Sequence, residues 1–196
     1  MYPVMLRLEN VRCLVVGGGK TATRKVGGLL EANARVTVVA PSLDPELAEL
    51  ARDGQVEHID GEYSRGTAAG YRLVIAATND EETNRQVFRD ANEAGQLVNS
   101  VDDPENCNFY VPAGVRRGDL VVAVSTSGAA PALARAIRLQ LDSWFDDGLR
   151  KEIDALKRER SRVLREAKGD SALKSRLFRD VVYPRVRRIV DGLRSK

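Results

Sequence analysis

The stretch Val11–Lys20 reads VRCLVVGGGK and is the part of the sequence that decides the fold. Its first residues form a short apolar run typical of a buried strand, and three glycines end that run. The next residues, Lys20–Asn33, place Ala22 and Val26 on one face, which predicts a helix. A strand, a glycine turn and a helix in this order are typical of the start of a nucleotide-binding α/β sheet.

Strands and helices continue to alternate through the first hundred residues. Strands are predicted at Arg35–Val39, Val56–Ile59, Tyr71–Thr78 and Leu97–Val101, and helices at Asp44–Asp53, after a Ser42 cap, and at Glu81–Ala94. The strand runs are almost continuously apolar, as in parallel sheets that helices cover on both faces. The predicted fold class is therefore α/β, with a Rossmann-type parallel sheet.

The pattern changes after residue 107. Paired strands are predicted at Asn108–Pro112 and Asp119–Ser125, joined by a turn at Gly114–Gly118. A helix is predicted from about Pro131 to Phe145 and is followed by a break at Asp146–Gly148. Two charged helices are predicted after the break, at Arg150–Ala167 and at Ala172–Leu193, and Pro184 is expected to bend the second. We expect a nucleotide-binding domain over residues 1–112, a strand-helix dimerisation region over 113–146 and a basic helical domain over 147–196. The appended strands and helix leave apolar faces that a second subunit would cover.

Composition excludes several classes of protein. The 196 residues are 43% hydrophobic and 30% charged, as in folded domains, and no apolar run approaches the length of a membrane span. The amino terminus lacks the features of a secretory signal, so a cytoplasmic protein is expected. Two cysteines, Cys13 and Cys107, cannot form a disulfide framework, and Cys13 is expected to be buried. A single histidine, His58, and the absence of a metal-binding motif predict no metal site.

Charge is concentrated at the carboxyl end. Asp146–Lys196 holds 16 basic and 9 acidic residues and carries +7, whereas the preceding residues carry −4. This distribution favours an anionic partner, such as nucleic acid, a membrane surface or a polycarboxylate ligand. A solvated helix face is the alternative, because acids such as Glu152 and Glu159 are interleaved at helical spacing.

A nucleotide fingerprint follows the first strand. The pattern G-x-G-x-x-A is matched by Gly17, Gly18, Gly19, Lys20, Thr21 and Ala22. The first glycine allows a tight turn, Gly19 lets backbone amides approach a pyrophosphate, and Ala22 allows close packing of helix on strand. The acid expected about 20 residues later is missing, because Val39–Ser42 reads VAPS. The fingerprint therefore leaves NAD and NADP both open.

Five stretches in this order, VRCLVVGGGKTATRK, LVIAATND, LVNSVDDP, NFYVPA and VAVSTSGAAPALAR, resemble the precorrin-2 dehydrogenase/sirohydrochlorin ferrochelatase family. This family includes stand-alone proteins and the amino-terminal module of siroheme synthases. The resemblance covers Met1 to about Phe145 closely and the basic end more loosely. No residues remain for the methyltransferase half of the long siroheme synthases, so we expect the stand-alone form.

The resemblance implies NAD-dependent oxidation of precorrin-2 to sirohydrochlorin by an intertwined homodimer, and some relatives also insert ferrous iron. The family's key aspartate corresponds to Asp102, in a segment that reads NSVDDP. NAD contacts carry over to the glycine turn with Lys20 and Thr21, to Pro41 and Ser42, and to Ala77, Thr78, Asn79, Val98 and Asn99. The family's serine-rich loop corresponds to Ser125, Thr126 and Ser127, and these residues with Asn108 are expected to bind the substrate.

The residues themselves agree with this implication. Asp102 follows a predicted strand, where ligands of open α/β sheets bind, and a carboxylate there could accept the proton that accompanies hydride loss. The same aspartate could instead belong to a simple Asp-Asp-Pro turn. Three alternatives stay open: another oxidoreductase on this fold, a non-enzymatic NAD-binding sensor, and a tetrapyrrole carrier. The carboxyl-terminal helices lack a helix-turn-helix pattern and their acids would oppose a phosphate backbone, so we expect no nucleic-acid partner. A membrane partner is not expected either.

Overall fold

The computed structural model describes residues 1–194, which form two compact units, one over residues 1–111 and one from Pro112 onward. The first unit is an α/β sheet, and the second combines a β-hairpin with helices. The described residues include no helix of the length and apolarity needed to cross a membrane. The predicted division of the second half into a dimerisation region and a basic helical domain remains a prediction.

The first unit contains the predicted parallel sheet. Its elements are β1 (Arg12–Val16), α1 (Lys20–Glu31), β2 (Arg35–Ala40), α2 (Pro45–Arg52), β3 (Glu57–Asp60), β4 (Leu73–Ala76), α3 (Glu81–Glu93) and β5 (Leu97–Ser100). All neighbouring strands are parallel, in the order β3-β2-β1-β4-β5. The strand order reverses between β1 and β4, which is where open α/β sheets bind ligands. The Rossmann-type fold class predicted from the sequence is confirmed.

Side chains of β1 alternate between two cores. Cys13 and Val15 lie in the cluster that includes residues of α1 and α2, whereas Leu14 and Val16 lie with residues of α3. Burial on both faces explains the continuous apolar run, because each successive side chain points to a helix-covered face. Cys13 is fully buried, as predicted, and burial raises the pKa of its thiol to about 11.

The second unit is an antiparallel hairpin followed by helices. Its elements are β6 (Ala113–Arg117), β7 (Leu120–Val124), α4 (Pro131–Trp144), α5 (Asp147–Glu166), α6 (Ser171–Leu177) and α7 (Tyr183–Arg194). A small core forms around Val115, Phe145 and Leu149. Leu133 of α4 is 54% exposed and Ile137 39% exposed, so an apolar part of this helix faces outward in the single chain.

Of the two paired strands predicted after residue 107, the first, Asn108–Pro112, is wrong. Residues Asn108–Pro112 are not a strand of the hairpin, and Gly114 lies within β6 instead of the turn. The Asn108 side chain and backbone are hydrogen-bonded to Val98, which holds this segment against the first unit. The hairpin turn lies at Gly118, whose φ of +60° suits the left-handed geometry of tight hairpin turns.

Three helix boundaries also differ from the prediction. The cap of α2 is Asp44 and not Ser42, because the Asp44 carboxylate accepts a hydrogen bond from the Glu46 amide. The break at Asp146–Gly148 is confined to Asp146, which caps α5. The last predicted helix is split by a π-helical turn at Phe178–Val182, which precedes Pro184. Since proline has no N–H and its ring crowds the carbonyl four residues earlier, the helix must locally widen or bend there.

Candidate functional site

The candidate site of the first unit lies at the carboxyl end of its parallel sheet. We use this term for the side on which β1 to β5 end, at Val16, Ala40, Asp60, Ala76 and Ser100. The glycine turn follows β1 there, and the loops after β2, β4 and β5 leave from the same side. Three of the four groups of residues predicted to bind the cofactor therefore lie next to one another at the strand ends. They are the glycine turn, Pro41 with Ser42, and Ala77–Asn79.

Two glycines allow these loops to pack closely. Gly17 has a φ of +119°, and a Cβ at this position would overlap the carbonyl group of Ala77 in the loop after β4. A Cβ at Gly18 would overlap the Ser42 carbonyl and would lie 2.9 Å from the Cβ of Ala40. Gly18, which the fingerprint leaves unspecified, is thus required for contact between the first two loops.

Gly19 has a different role from its two neighbours. Its φ is −84°, and a Cβ there would meet no atom within 4 Å. Gly19 is the N-cap of α1, yet no side chain caps this helix and its first turn holds no acid. The free amides and the positive end of the helix dipole therefore face open space beside the glycine turn, which is the arrangement that binds a pyrophosphate. These residues fit a dinucleotide cofactor.

The loop after β4 is held by a buried amide that the sequence analysis missed. Asn84 of α3 is buried, and its Oδ1 accepts hydrogen bonds from the Thr78 amide (3.2 Å) and the Thr78 hydroxyl (2.9 Å). Its Nδ2 donates to the Thr78 carbonyl at 3.1 Å. Asn84 thus fixes the loop Ala77–Asn79, which was predicted to contact the cofactor. Its position inside a helix carries no sequence signal for this function.

Replacing Asn84 by alanine should loosen this loop. In Asn84→Ala the amide and carbonyl of Thr78 lose their partner, which costs about 1–3 kcal/mol for a buried polar group. We expect a lower thermal midpoint and weaker binding of the nicotinamide nucleotide, measured by differential scanning calorimetry and by titration calorimetry. Asn92→Ala, at an exposed asparagine of the same helix that accepts one hydrogen bond from Asn108 at 3.3 Å, is the control and should leave the nucleotide affinity unchanged. Unchanged nucleotide affinity in Asn84→Ala would contradict the assignment.

The predicted cofactor residues of β5 support the site from within the fold. Val98 is fully buried against α3, and Asn99 is buried with its amide donating to the Phe109 carbonyl at 3.1 Å. Neither side chain lines the open carboxyl end. The next residue, Ser100, is also buried, and its hydroxyl has no hydrogen-bond partner among the described residues.

Asp102 lies immediately beyond β5, on an exposed turn. Its φ is +60°, a conformation that only a minority of non-glycine residues adopt and that aspartate and asparagine tolerate best. The turn is held by Cys107, whose Sγ lies 3.2 Å from the Ser100 amide and 3.2 Å from the Asp103 carbonyl oxygen. Burial is the main cause of a raised pKa of Cys107, which keeps this sulfur a neutral structural contact. The carboxylate is therefore presented on a defined backbone.

Lys25 is a second residue near Asp102 that the sequence analysis did not select. It lies on α1, whose Val26 and Leu29 share a core with Val101 and Phe109, on either side of the Asp102 turn. Burial and then the charge of Arg24 lower the pKa of Lys25, while Asp102 and Cys107 act in the opposite direction. Helix α1 begins at the carboxyl end of the sheet, and because helical side chains lean toward the amino end of their helix, we expect the Lys25 side chain to extend toward that end.

The remaining residues predicted to bind the substrate differ in whether their side chains are already hydrogen-bonded within the fold. Asn108 uses its side chain within the fold, since its Oδ1 accepts from the Val98 amide and its Nδ2 donates to the Gln96 carbonyl at 2.8 Å. In the second unit, the loop between β7 and α4 is ordered by its own hydroxyls. The Ser127 amide donates to Ser125 Oγ, and the Ala130 amide donates to Thr126 Oγ1. The hydroxyl of exposed Ser127 remains available for a ligand.

The basic helices contain internal ion pairs. Arg185 of α7 is bonded to Glu152 at 2.9 Å and to Glu159 at 2.8 Å, both on α5. Lys157 pairs with Asp119 at 2.6 Å. The interleaved acids therefore neutralise part of the positive charge within this unit. Across residues 1–194, no group of three or more His, Cys, Asp and Glu side chains is arranged to hold a metal ion.

Comparison with known proteins agrees with this geometry. Residues 4–113 match a family of NAD(P)-binding domains, and residues 117–143 match the central part of sirohaem biosynthesis proteins. The chain is 48% identical to a siroheme synthase of Chromobacterium violaceum over 147 residues, which are 75% of this chain and 31% of that protein. It is 38% identical to the siroheme synthase of Acinetobacter baylyi over 194 residues, 93% of this chain and 40% of that one.

A solved structure extends the likeness over the full length of the chain. The protein called SirC, a precorrin-2 dehydrogenase, superposes with a TM-score of 0.79 at 32% identity, and the match covers 100% of both chains. By contrast, the chain spans about a third of the length of the siroheme synthases that it matches. The relation therefore includes the second unit as well as the sheet.

Proposed function

This chain belongs to the family of precorrin-2 dehydrogenases and siroheme synthases, and we propose that it oxidises precorrin-2 to sirohydrochlorin with NAD as the cofactor. The observation that carries the proposal is the position of two features at one end of the sheet. The uncapped amino end of α1 follows β1, and the Asp102 carboxylate follows β5. The strand order places β4 alone between them, so the two features lie about 10 Å apart across the sheet.

The reaction removes a hydride and a proton from the reduced macrocycle. NAD supplies the hydride acceptor, which no side chain can replace. The amides at the start of α1 bind the pyrophosphate, and Asn84 holds the loop Ala77–Asn79 against the dinucleotide. Asp102 accepts the proton as general base, on the exposed turn where the substrate can reach it. The Lys25 ammonium, which interacts with the charge of Asp102, offers attraction to the acidic substrate.

We also propose an oligomeric state and a cellular location for this protein, namely a homodimer in the cytoplasm. A homodimer is supported by the outward apolar side chains of α4, among them Leu133 and Ile137, because a second copy would remove them from water. Light scattering should then give about twice the monomer mass of 21.5 kDa. Both cysteines are free thiols, which agrees with a reducing cytoplasm. The hydroxyls of Ser125 and Ser127 are assigned to substrate binding on the second unit.

Anaerobic incubation of the purified protein with precorrin-2 and NAD tests the function directly. We expect NADH absorbance and the sirohydrochlorin spectrum to rise together, with NADP giving a much slower reaction in a parallel sample. Ferrous iron is then added to the product, and siroheme formed faster than in the absence of protein would establish iron insertion as a second activity. Folded protein that binds the macrocycle but forms no reduced nucleotide would overturn the proposal in favour of a carrier or sensor.

A further inference from the structure

We propose that Asp60, at the end of β3, is the acid that binds the adenosine ribose and makes the chain select NAD over NADP. This inference rests on the proposed function, since it concerns the same nucleotide site. Nucleotide-binding sheets of this kind use an acid at the end of the second strand to bind the ribose 2′-hydroxyl. Here β2 ends in Val39-Ala40-Pro41-Ser42, which contains no acid.

The register of the sheet supplies a carboxylate at the same end of the sheet, from the strand next to β2. Asp60 is the partner of Ala40 in the parallel pairing of β2 with β3. Ala40 in turn lies against the glycine turn, because a Cβ at Gly18 would lie 2.9 Å from the Ala40 Cβ. Gly18, Ala40 and Asp60 therefore form a row across the carboxyl ends of β1, β2 and β3. Adjacent strands are about 4.8 Å apart, so Asp60 lies about 10 Å from the glycine turn, one strand beyond the end of β2.

Other acceptors near this position are already engaged. The Ala40 carbonyl is hydrogen-bonded to Nε2 of His58 at 2.9 Å and accepts the Gly61 amide at 3.4 Å. Asp44, the next acid along the chain from β2, accepts from the Glu46 amide and caps α2. Asp60 itself is exposed, and its carboxylate has neither a hydrogen bond nor an ion pair among residues 1–194. Asp60 therefore offers a free carboxylate to a pair of ribose hydroxyls, beside the exposed hydroxyl of Ser42.

This position of the charge determines selectivity as well as affinity. A carboxylate accepts hydrogen bonds from the 2′- and 3′-hydroxyls of NAD, and hydrogen bonds to a charged group are stronger than neutral ones. The 2′-phosphate of NADP would place negative charge beside the same carboxylate, and like charges this close repel. One residue thus favours NAD and disfavours NADP, and the sequence fingerprint missed it because β3 is 20 residues farther along the chain than β2.

Titration calorimetry with NAD and with NADP tests the inference without any turnover. For Asp60→Asn, we expect NAD to bind about 3- to 10-fold more weakly and NADP to bind more tightly, so that the ratio of the two dissociation constants falls at least about tenfold. Asp53→Asn is the control, because Asp53 is an exposed acid that follows α2 at the opposite end of the sheet. It should keep the ratio of the unmodified protein, and both variants should unfold at the same temperature as that protein.

The outcomes separate the inference from the function on which it depends. If the unmodified protein prefers NAD and Asp60→Asn keeps that preference, the role of Asp60 is overturned while the proposed function stands. An unmodified protein that prefers NADP would also overturn the role of Asp60. If the folded protein binds neither nucleotide, the proposed function fails first, and the inference fails with it.

Discussion

In the Asp102→Asn variant, oxidation of precorrin-2 falls by about 10²- to 10⁴-fold, the usual contribution of a general base. An amide cannot accept the proton that the carboxylate removes. Asparagine is the suitable replacement because, like aspartate, it tolerates the φ of +60° at this position. Alanine would add roughly 1–2 kcal/mol of backbone strain to the chemical effect. Single-turnover measurements with saturating NAD report the chemical step.

Binding and stability should be retained in this variant. The Asp102 turn is held by Cys107 and not by the Asp102 side chain, so the affinity for NAD and the thermal midpoint should match those of the unmodified protein. Glu105→Gln is the matched control, since Glu105 is an exposed acid three residues away in a short 3₁₀ turn. Its turnover should be unchanged. Turnover of Asp102→Asn at the unmodified rate would assign the proton to another group.

The Gly19→Ala variant should lose cofactor affinity while remaining folded. A methyl group at Gly19 meets no protein atom, and its φ of −84° suits alanine. We expect the methyl group to stand instead in the open space beside the start of α1, in the path by which the pyrophosphate approaches the helix. We expect the dissociation constant for NAD to rise about 10- to 100-fold, a change of about 1.4–2.8 kcal/mol, with no loss of thermal stability.

Alanine substitutions at two other glycines serve as comparisons for Gly19→Ala. Gly28→Ala, within α1 and free of close neighbours, should raise stability by about 0.5–1 kcal/mol and leave NAD affinity unchanged. Gly17→Ala should lower stability, because its Cβ would overlap the Ala77 carbonyl and its φ is +119°. Normal NAD affinity in Gly19→Ala would show that the pyrophosphate does not approach the start of α1.

Features carried by contiguous residues were predicted well. Apolar runs such as CLVV in β1 and LVIA in β4 are strands in the structure, and the helix after the glycine turn begins at Lys20 as predicted. These features depend on side-chain periodicity and on the conformational freedom of glycine, which neighbouring residues alone specify. The same holds for the ordered motifs that identified the family.

Features that depend on distant residues were misjudged or missed. The segment Asn108–Pro112 has strand-like composition, but the Asn108 amide binds Val98 and holds it to β5. Asn84 is one polar residue among many in α3 until the fold places Thr78 beside it. Lys25 is likewise an ordinary helical lysine until the turn after β5 packs against α1.

By itself, the sequence determined that this chain is a Rossmann-type nucleotide-binding protein of the precorrin-2 dehydrogenase family, with Asp102 as the candidate base. The tertiary structure alone decided which residues share the carboxyl end of the sheet. It placed Gly18 against Ser42, Asn84 under Thr78, and Asp60 beside Ala40. The physical reason is that strand register and strand order are properties of the packed sheet, in which hydrogen bonding and burial bring together residues that no local pattern relates.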